Sequence, residues 1–296
     1  MSRLTRAQVA VVVPVYRDWA SARVCVEALR AQTLSRERVR VILADNDPRG
    51  PAERIPAKQP WLSVVGEERP GSYAARNRAL QDLADADVIA FTDADCTPAP
   101  DWLEQGLRAL DTLPAPGRAG GRVEFVPQGP AFTFVEAFDA AIHMDQERYI
   151  AEFGFAATAN LFADRAVLDR VGPFNASLKS SGDAEWGQRA TALGIPQVYA
   201  PDAVVRHPAR ASFGSLVRKS RRLAGGFAAR AQPQGGLLRT FLRDTRDELE
   251  RISYQRRVLA ARSRTPLSHL ALSCVLAGVR VIERTRVRLG APTQRS

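Results

Sequence analysis

Val9-Ala10-Val11-Val12-Val13-Pro14-Val15 is an unbroken apolar and largely β-branched run, and it constrains the fold more than any other segment. A strand apolar at every position is buried on both faces, which happens in a parallel sheet covered by helices on each side. A helix should follow: Asp18 can cap it, and Ala22, Val26 and Leu29 recur at helical spacing up to Gln32. Val39 to Ala44 repeats the buried-strand pattern and ends in the polar turn Asp45-Asn46-Asp47-Pro48. Leu62 to Val65 reads as a shorter third strand, and Pro70-Gly71 turns into a helix carrying Ala74, Ala75, Ala79, Leu80 and Leu83. Val88-Ile89-Ala90-Phe91 is a fourth strand, ending at Thr92-Asp93-Ala94-Asp95. Strands alternating with helices predict a doubly wound α/β sheet, with ligands beyond the carboxyl ends of its strands, where both acidic turns fall.

Further along, Trp102 to Leu110 reads as a helix, and the Pro/Gly-rich Leu113 to Gly121 breaks the alternation before a strand at Arg122 to Val126. Helices are expected at Phe134 to Ile142, Ala166 to Val171 and Ala184 to Leu193, and a strand at Gln197 to Ala200. Gly225 to Gly236, rich in Gly, Ala and Gln with Pro233, is the best linker candidate. Helical patterns resume at Leu237 to Arg264 and Leu267 to Leu289.

With 296 residues and 45% hydrophobic content the chain can bury a sizeable core. Its net charge of +10 is unevenly spread: residues 206–296 hold 20 Arg and Lys against 5 Asp and Glu, a balance of +15, leaving −5 elsewhere. An acidic body thus carries a basic extension. Cys25, Cys96 and Cys274 lie far apart with no C-x-x-C spacing, so neither a zinc site nor a disulfide framework is expected, and a reduced cytosolic setting fits best. The polar Met1 to Gln8 lacks a signal-peptide pattern, so no export is expected. Leu267 to Val279, the nearest approach to a membrane span, is interrupted by Ser268, His269 and Ser273 and followed by Arg280, so it is expected to lie on a membrane, not cross one.

Asp93-Ala94-Asp95 places two carboxylates on a tight turn, where hard divalent cations such as Mg²⁺ or Mn²⁺ find oxygen ligands. A solvated turn that caps the next helix has the same composition. The position after a buried strand, with Asp45 closing another, favours the functional reading.

Taken together, several blocks resemble glycosyltransferase family 2, nucleotide-sugar-dependent enzymes of the GT-A fold. They are Val12-Val13-Pro14-Val15-Tyr16, Asp45-Asn46, Pro70-Gly71-Ser72-Tyr73-Ala74-Ala75-Arg76-Asn77 and Phe91-Thr92-Asp93-Ala94-Asp95-Cys96. The series continues through Thr158-Ala159-Asn160-Leu161-Phe162, Val171-Gly172-Pro173-Phe174, Ser181-Gly182-Asp183-Ala184-Glu185-Trp186 and Val205-Arg206-His207-Pro208. The resemblance covers about Val9 to Arg210. It implies a nucleotide-sugar-binding half at 1–97 and an acceptor-binding and catalytic half at 98–224; composition and charge add the linker at 225–236 and a basic helical extension at 237–296.

The resemblance also implies roles. Pro14 and Tyr16 help form the nucleotide pocket, Asp45 accepts a hydrogen bond from the base, most often uracil, and Arg76 faces the nucleotide. Asp93 approaches the ribose or metal, and Asp95 ligates an Mn²⁺ or Mg²⁺ ion bridging the diphosphate. Asp183 aligns with the base of an inverting displacement; Gly182 stands where the family carries an acid, which leaves Glu185 in reserve. As a structural alternative, Asp183 can cap the helix that follows it. His207 matches a histidine that approaches the metal or diphosphate, although a lone His is also an ordinary packing residue.

Arg218 and Arg222 share a helix face at i, i+4 and are placed to stabilise a departing diphosphate, the alternative being a solvated or lipid-facing basic surface. The absence of a Q-x-x-R-W signature favours single-sugar transfer over polymer synthesis. Arg280, Arg284 and Arg288 form a stripe that suits anionic headgroups, or a helix packed on the catalytic domain.

The expected partners are a nucleotide sugar, a glycan or lipid-linked acceptor in polysaccharide or glycolipid assembly, and an anionic membrane surface on the cytoplasmic side. The competing reading is a nucleic-acid- or membrane-binding protein that uses the basic tail on an inactive GT-A-like domain. Few aromatics in that tail argue against nucleic acid, which is not an expected partner. A nucleotidyltransferase would need a Gly-rich basic loop after the first strand, and Val15-Tyr16-Arg17-Asp18 is not one.

Overall fold

In a computed structural model, which describes residues 2–47, 49, 59–230 and 236–293, the β-branched run becomes a central strand. The first elements are α1 (Arg3–Arg6), β1 (Val9–Val15), α2 (Trp19–Arg30), β2 (Val39–Asp45), β3 (Leu62–Gly66), α3 (Ser72–Ala79) and β4 (Val88–Thr92). Then come β5 (Thr97–Pro98), α4 (Trp102–Asp111), β6 (Arg118–Val126), α5 (Phe134–Ile142), α6 (Gln146–Phe153), β7 (Asn160–Asp164), α7 (Arg165–Val171), α8 (Gly182–Ala192) and β8 (Gln197–Pro208). Three longer helices follow: α9 (Phe213–Arg230), α10 (Leu237–Arg262) and α11 (Pro266–Arg288).

The chain divides into two units. The first comprises Met1–Glu124, Met144–Ser177 and Gly182–His207, and takes in both the 1–97 half and most of 98–224. Its sheet has the strand order β3-β2-β1-β4-β7-β6-β8-β5. The pairs β1/β2, β2/β3 and β1/β4 are parallel, as the alternation predicts. The pairs β4/β7, β6/β7 and β5/β8 are antiparallel, so the doubly wound pattern holds only for the first half. Every residue of β7 is buried, and burial on both faces says nothing about strand direction.

Val11, Val13, Leu29, Val41, Leu43, Trp102, Leu107 and Phe162 fill this unit's core without exposure, each apolar side chain contributing roughly 1.5–3 kcal/mol. Asp18 caps α2 by accepting a hydrogen bond from Ser21 N–H at 3.1 Å. β6 starts at Arg118, inside the Pro/Gly-rich stretch expected to be irregular. Within that strand glycine is required at Gly121, since a Cβ there would meet the Ala203 carbonyl at 2.3 Å. β8 runs beyond Ala200 to Pro208 despite Pro201, with Ala99 N–H bonded to the Val204 carbonyl at 2.9 Å. His207 therefore sits on the sheet.

The second unit comprises Phe125–His143, Leu178–Ser181 and Pro208–Ser296. Residues 225–230, expected in the linker, are helical and end α9. Gly226 allows close packing there, since a Cβ would fall 2.0 Å from Ser180 Oγ. The remaining linker positions 231–235 and the turn residue Pro48 lie outside the described residues.

The arginine stripe of α11 turns inward rather than toward headgroups. Arg280 and Arg284 reach Glu248 at 2.6 and 2.5 Å, and Arg288 pairs with Asp244. Arg221 and Arg286 bind Glu283 at 3.0 and 2.6 Å. Buried carboxylates on α10 and α11 thus absorb basic residues that periodicity alone leaves facing solvent. By length and composition α11 is apolar enough to cross a membrane, with a mean hydropathy of 1.3 over 18 residues, although Arg280, Glu283 and Arg284 on it are buried.

Candidate active site

β1, β2 and β4 lie side by side in parallel, so their carboxyl ends open onto one edge of the first unit. Val15 is in register with Asp45, and Asn46 N–H bonds to the Val15 carbonyl at 2.8 Å. This brings half-buried Pro14 and exposed Tyr16 beside Asp45, which is only 2% exposed. Asp45 Oδ1 accepts from Asp47 N–H at 2.9 Å. Asn46, a residue without an assigned role, ties the edge together: its Nδ2 donates to the Glu67 and Arg69 carbonyls, and its Oδ1 accepts from Gly71 N–H at 2.7 Å.

Gly71 precedes α3 with φ of +126°, a conformation that favours glycine. The helix buries Arg76, whose Nη2 donates to Asp93 Oδ1 at 2.5 Å. Asp93 belongs to the turn after β4, closed by Cys96 N–H bonding to the Asp93 carbonyl at 3.0 Å. Two residues on, Asp95 Oδ2 lies 3.6 Å from Nε2 of His207, a buried residue of β8. The ligand atoms of Asp95, Cys96 and His207 all lie within 4.8 Å of one another. A carboxylate and an imidazole at that spacing fit a divalent cation such as Mn²⁺. The Cys96 thiol, missed as a neighbour of this group, is pushed well above its ordinary pKa by burial and by the Asp93 and Asp95 carboxylates.

α3 also connects this turn to the second carboxylate. The Arg76 guanidinium carbon lies 5.8 Å from the centre of the Tyr73 ring, and Tyr73 OH donates to Asp183 Oδ1 at 3.2 Å. Burial, then the Asp183 charge, raises the Tyr73 phenol above its ordinary pKa, so it stays a donor at neutral pH. Tyr73 carried no assigned role; its place within the block at Pro70 to Asn77 was the available signal. Gly182, the departure from the family pattern, has a packing cause: a Cβ there would meet Tyr73 Cε2 at 2.6 Å. The missing acid makes room for the ring that holds Asp183.

Asp183 also accepts from Ala184 N–H at 2.9 Å at the start of α8. Glu185, the reserve carboxylate, is bound to Arg189 at 2.7 Å, and Arg189 also donates to the Val171 and Pro173 carbonyls. That network gives Glu185 a structural task. Asn160 is structural as well: fully buried, it accepts from Trp102 Nε1 and donates to the Arg122 and Ala203 carbonyls. Arg218 and Arg222 lie on α9 in the second unit, the first exposed and the second half-buried.

The model of the family described as Glycosyl transferase family 2 matches residues 10–170. Glycosyltransferase AglE of Haloferax volcanii is 34% identical over 225 residues, covering 74% of this chain and 72% of that protein. Among solved structures, the mannosyltransferase PcManGT from Pyrobaculum calidifontis, in complex with GDP-Man and Mn²⁺, superposes with a TM-score of 0.55 at 19% identity. That match covers 97% of this chain and 77% of the other. TarS 1-349 of S. aureus, in complex with UDP, gives 0.52 at 15% identity, covering 97% and 93%. At these identities the two structures speak for the fold, which is that of GT-A glycosyltransferases.

Proposed function

This chain belongs to glycosyl transferase family 2, and from that premise we propose that it moves one sugar from a nucleoside-diphosphate sugar, a UDP-sugar in the simplest reading, to a hydroxyl of a glycan or lipid-linked acceptor with inversion. The observation that carries this reading is the convergence of Asp95 and His207 at 3.6 Å beside the Arg76–Asp93 pair. Asp45, Pro14 and Tyr16 take the nucleoside; the Asp45 carboxylate only accepts hydrogen bonds and so suits the imide N–H of uracil. Asp95 and His207 hold the divalent cation, with Asp93 beside them. When bound there, the cation supplies positive charge against the diphosphate.

Asp183 takes the proton of the acceptor hydroxyl as its oxygen bonds to the anomeric carbon. The bond from that carbon to the diphosphate oxygen breaks on the opposite face, and its electron pair leaves with the diphosphate. Tyr73 fixes the Asp183 carboxylate through one oxygen, leaving the other as proton acceptor. Arg76 keeps Asp93 in place and puts a fixed cation near the developing charge.

The test is nucleotide release from a panel of UDP- and GDP-sugars with purified protein and Mn²⁺ or Mg²⁺. Turnover is expected with a UDP-sugar, and its loss both in EDTA and in Asp95→Ala, with unchanged thermal melting. Full turnover in EDTA overturns the metal-assisted mechanism, and turnover restricted to GDP-sugars overturns the choice of nucleotide.

A further inference from the structure

The α10–α11 hairpin in the second unit spends its carboxylates internally and leaves one face without charge. Asp244, Glu248 and Glu283 are buried and paired with arginines, as described above. On the outer side of α11, Leu267, Ala271, Val275, Gly278, Ile282 and Leu289 are all exposed. At 3.6 residues per turn these positions fall within an arc of about 100°. Leu267 is 81% exposed, Ile282 70% and Leu289 67%. At the open end of the hairpin, Leu289 joins Leu238 and Phe241 of α10 around a cavity of about 320 Å³. Leu238 and Leu242 are themselves 72% and 58% exposed. Exposed apolar side chains clustered in this way mark an interaction site.

Charge identifies the occupant. Exposed positions of α10 carry Arg239, Arg243, Arg256 and Arg257, while the hairpin's one exposed carboxylate among the described residues, Glu250, is bound to Arg246 at 3.1 Å. A second copy of this chain would bring the same positive charge against itself. A negatively charged lipid surface accepts both the apolar face and its basic flank. Crossing a bilayer would carry the Arg280, Glu283 and Arg284 ion pairs into hydrocarbon, whereas lying flat leaves them inside the helical unit.

We propose that the outer face of α11, with Leu238, Phe241 and Leu242 of α10 beside it, lies on an anionic membrane surface, with the exposed α10 arginines over the headgroups. The surface is thus the opposite side of α11 from its arginine stripe. Docking is separate from the transfer chemistry, so vesicle binding and nucleotide release are read independently.

The experiment is co-sedimentation of the full chain with phosphatidylcholine vesicles, with and without phosphatidylglycerol. Light scattering and circular dichroism are recorded in parallel. Wild type should sediment with the anionic vesicles only. Val275→Glu/Ile282→Glu, at positions 53% and 70% exposed, should keep its fold and turnover of a soluble acceptor while vesicle affinity falls about tenfold or more. Arg239→Gln/Arg243→Gln/Arg257→Gln should weaken binding and flatten its salt dependence. Equal sedimentation of wild type and Val275→Glu/Ile282→Glu overturns the proposal. Equal binding of wild type to neutral vesicles does the same for the anionic partner. A wild-type oligomer that ignores vesicles and is dissociated by Val275→Glu/Ile282→Glu would reassign the face to self-association.

Discussion

The two units use charge in opposite ways. In the first, an uncharged core around β1, β2 and β4 carries the stability, and the carboxylates of Asp93, Asp95 and Asp183 stand at strand and helix ends with polar partners and partial exposure. In the second, Asp139, Asp244, Glu248 and Glu283 are buried and hold α5, α9, α10 and α11 together through arginines, a lysine and a histidine. Removing Asp93, Asp95 or Asp183 should therefore cost chemistry, whereas removing Asp244, Glu248 or Glu283 should cost fold.

The largest effect expected from that contrast is at Asp183. Asp183→Asn keeps the shape and the Tyr73 contact but loses the proton acceptor, so transfer should fall roughly 10² to 10⁴-fold with donor binding and melting unchanged. Steady-state rates and calorimetric donor titration check this. An active Asp183→Asn beside a dead Glu185→Gln would move the base to the other carboxylate.

Glu248→Ala should do the reverse. It leaves Arg280 and Arg284 without their shared partner, and breaking a buried pair costs about 3–5 kcal/mol. Urea unfolding should show that loss; an unchanged midpoint would mean the second unit does not depend on its ion pairs.

Gly182→Asp, which restores the acid of the family pattern, sharpens the comparison within the first unit. Its Cβ would enter the Tyr73 ring, and overpacking of this kind costs about 1–3 kcal/mol. A Tyr73→Ala background should recover most of that stability, and additive losses would deny the contact.

The smallest effect is a pH slope. Burial, together with the Lys219 charge, pulls His143 down to about 4, from 6.5 in the unfolded chain. Between those values the unfolded chain binds a proton that the folded chain refuses, so stability falls as pH drops from 6.5 towards 4. Burial alone would raise Asp139, but the hydrogen bond from His143 and the charges of Lys219, His143 and Arg210 hold it well below the usual carboxylate range. Its own contribution is therefore lost only below about 3.8, the unfolded value. Melting temperatures across this range should decline, and His143→Gln should flatten the decline above pH 4.

The sequence alone determined the positions of β1, β2, β3 and β4 to within a residue, because each is a largely apolar run that stops where turn residues begin, buried along almost its whole length in β1, β2 and β4 and half-buried in β3. It also placed Asp45, Asp93 and Asp95 at strand ends, since chain order and parallel pairing bring those ends to one edge. Tertiary structure decided the antiparallel second half of the sheet, the extension of β8 that carries His207 to Asp95, and the hold of Tyr73 on Asp183 across Gly182. It also decided which way α11 faces. Helical spacing puts Arg280, Arg284 and Arg288 on one stripe, but only buried carboxylates on another helix can turn such a stripe inward, and periodicity carries no information about the charge of the neighbour it packs against.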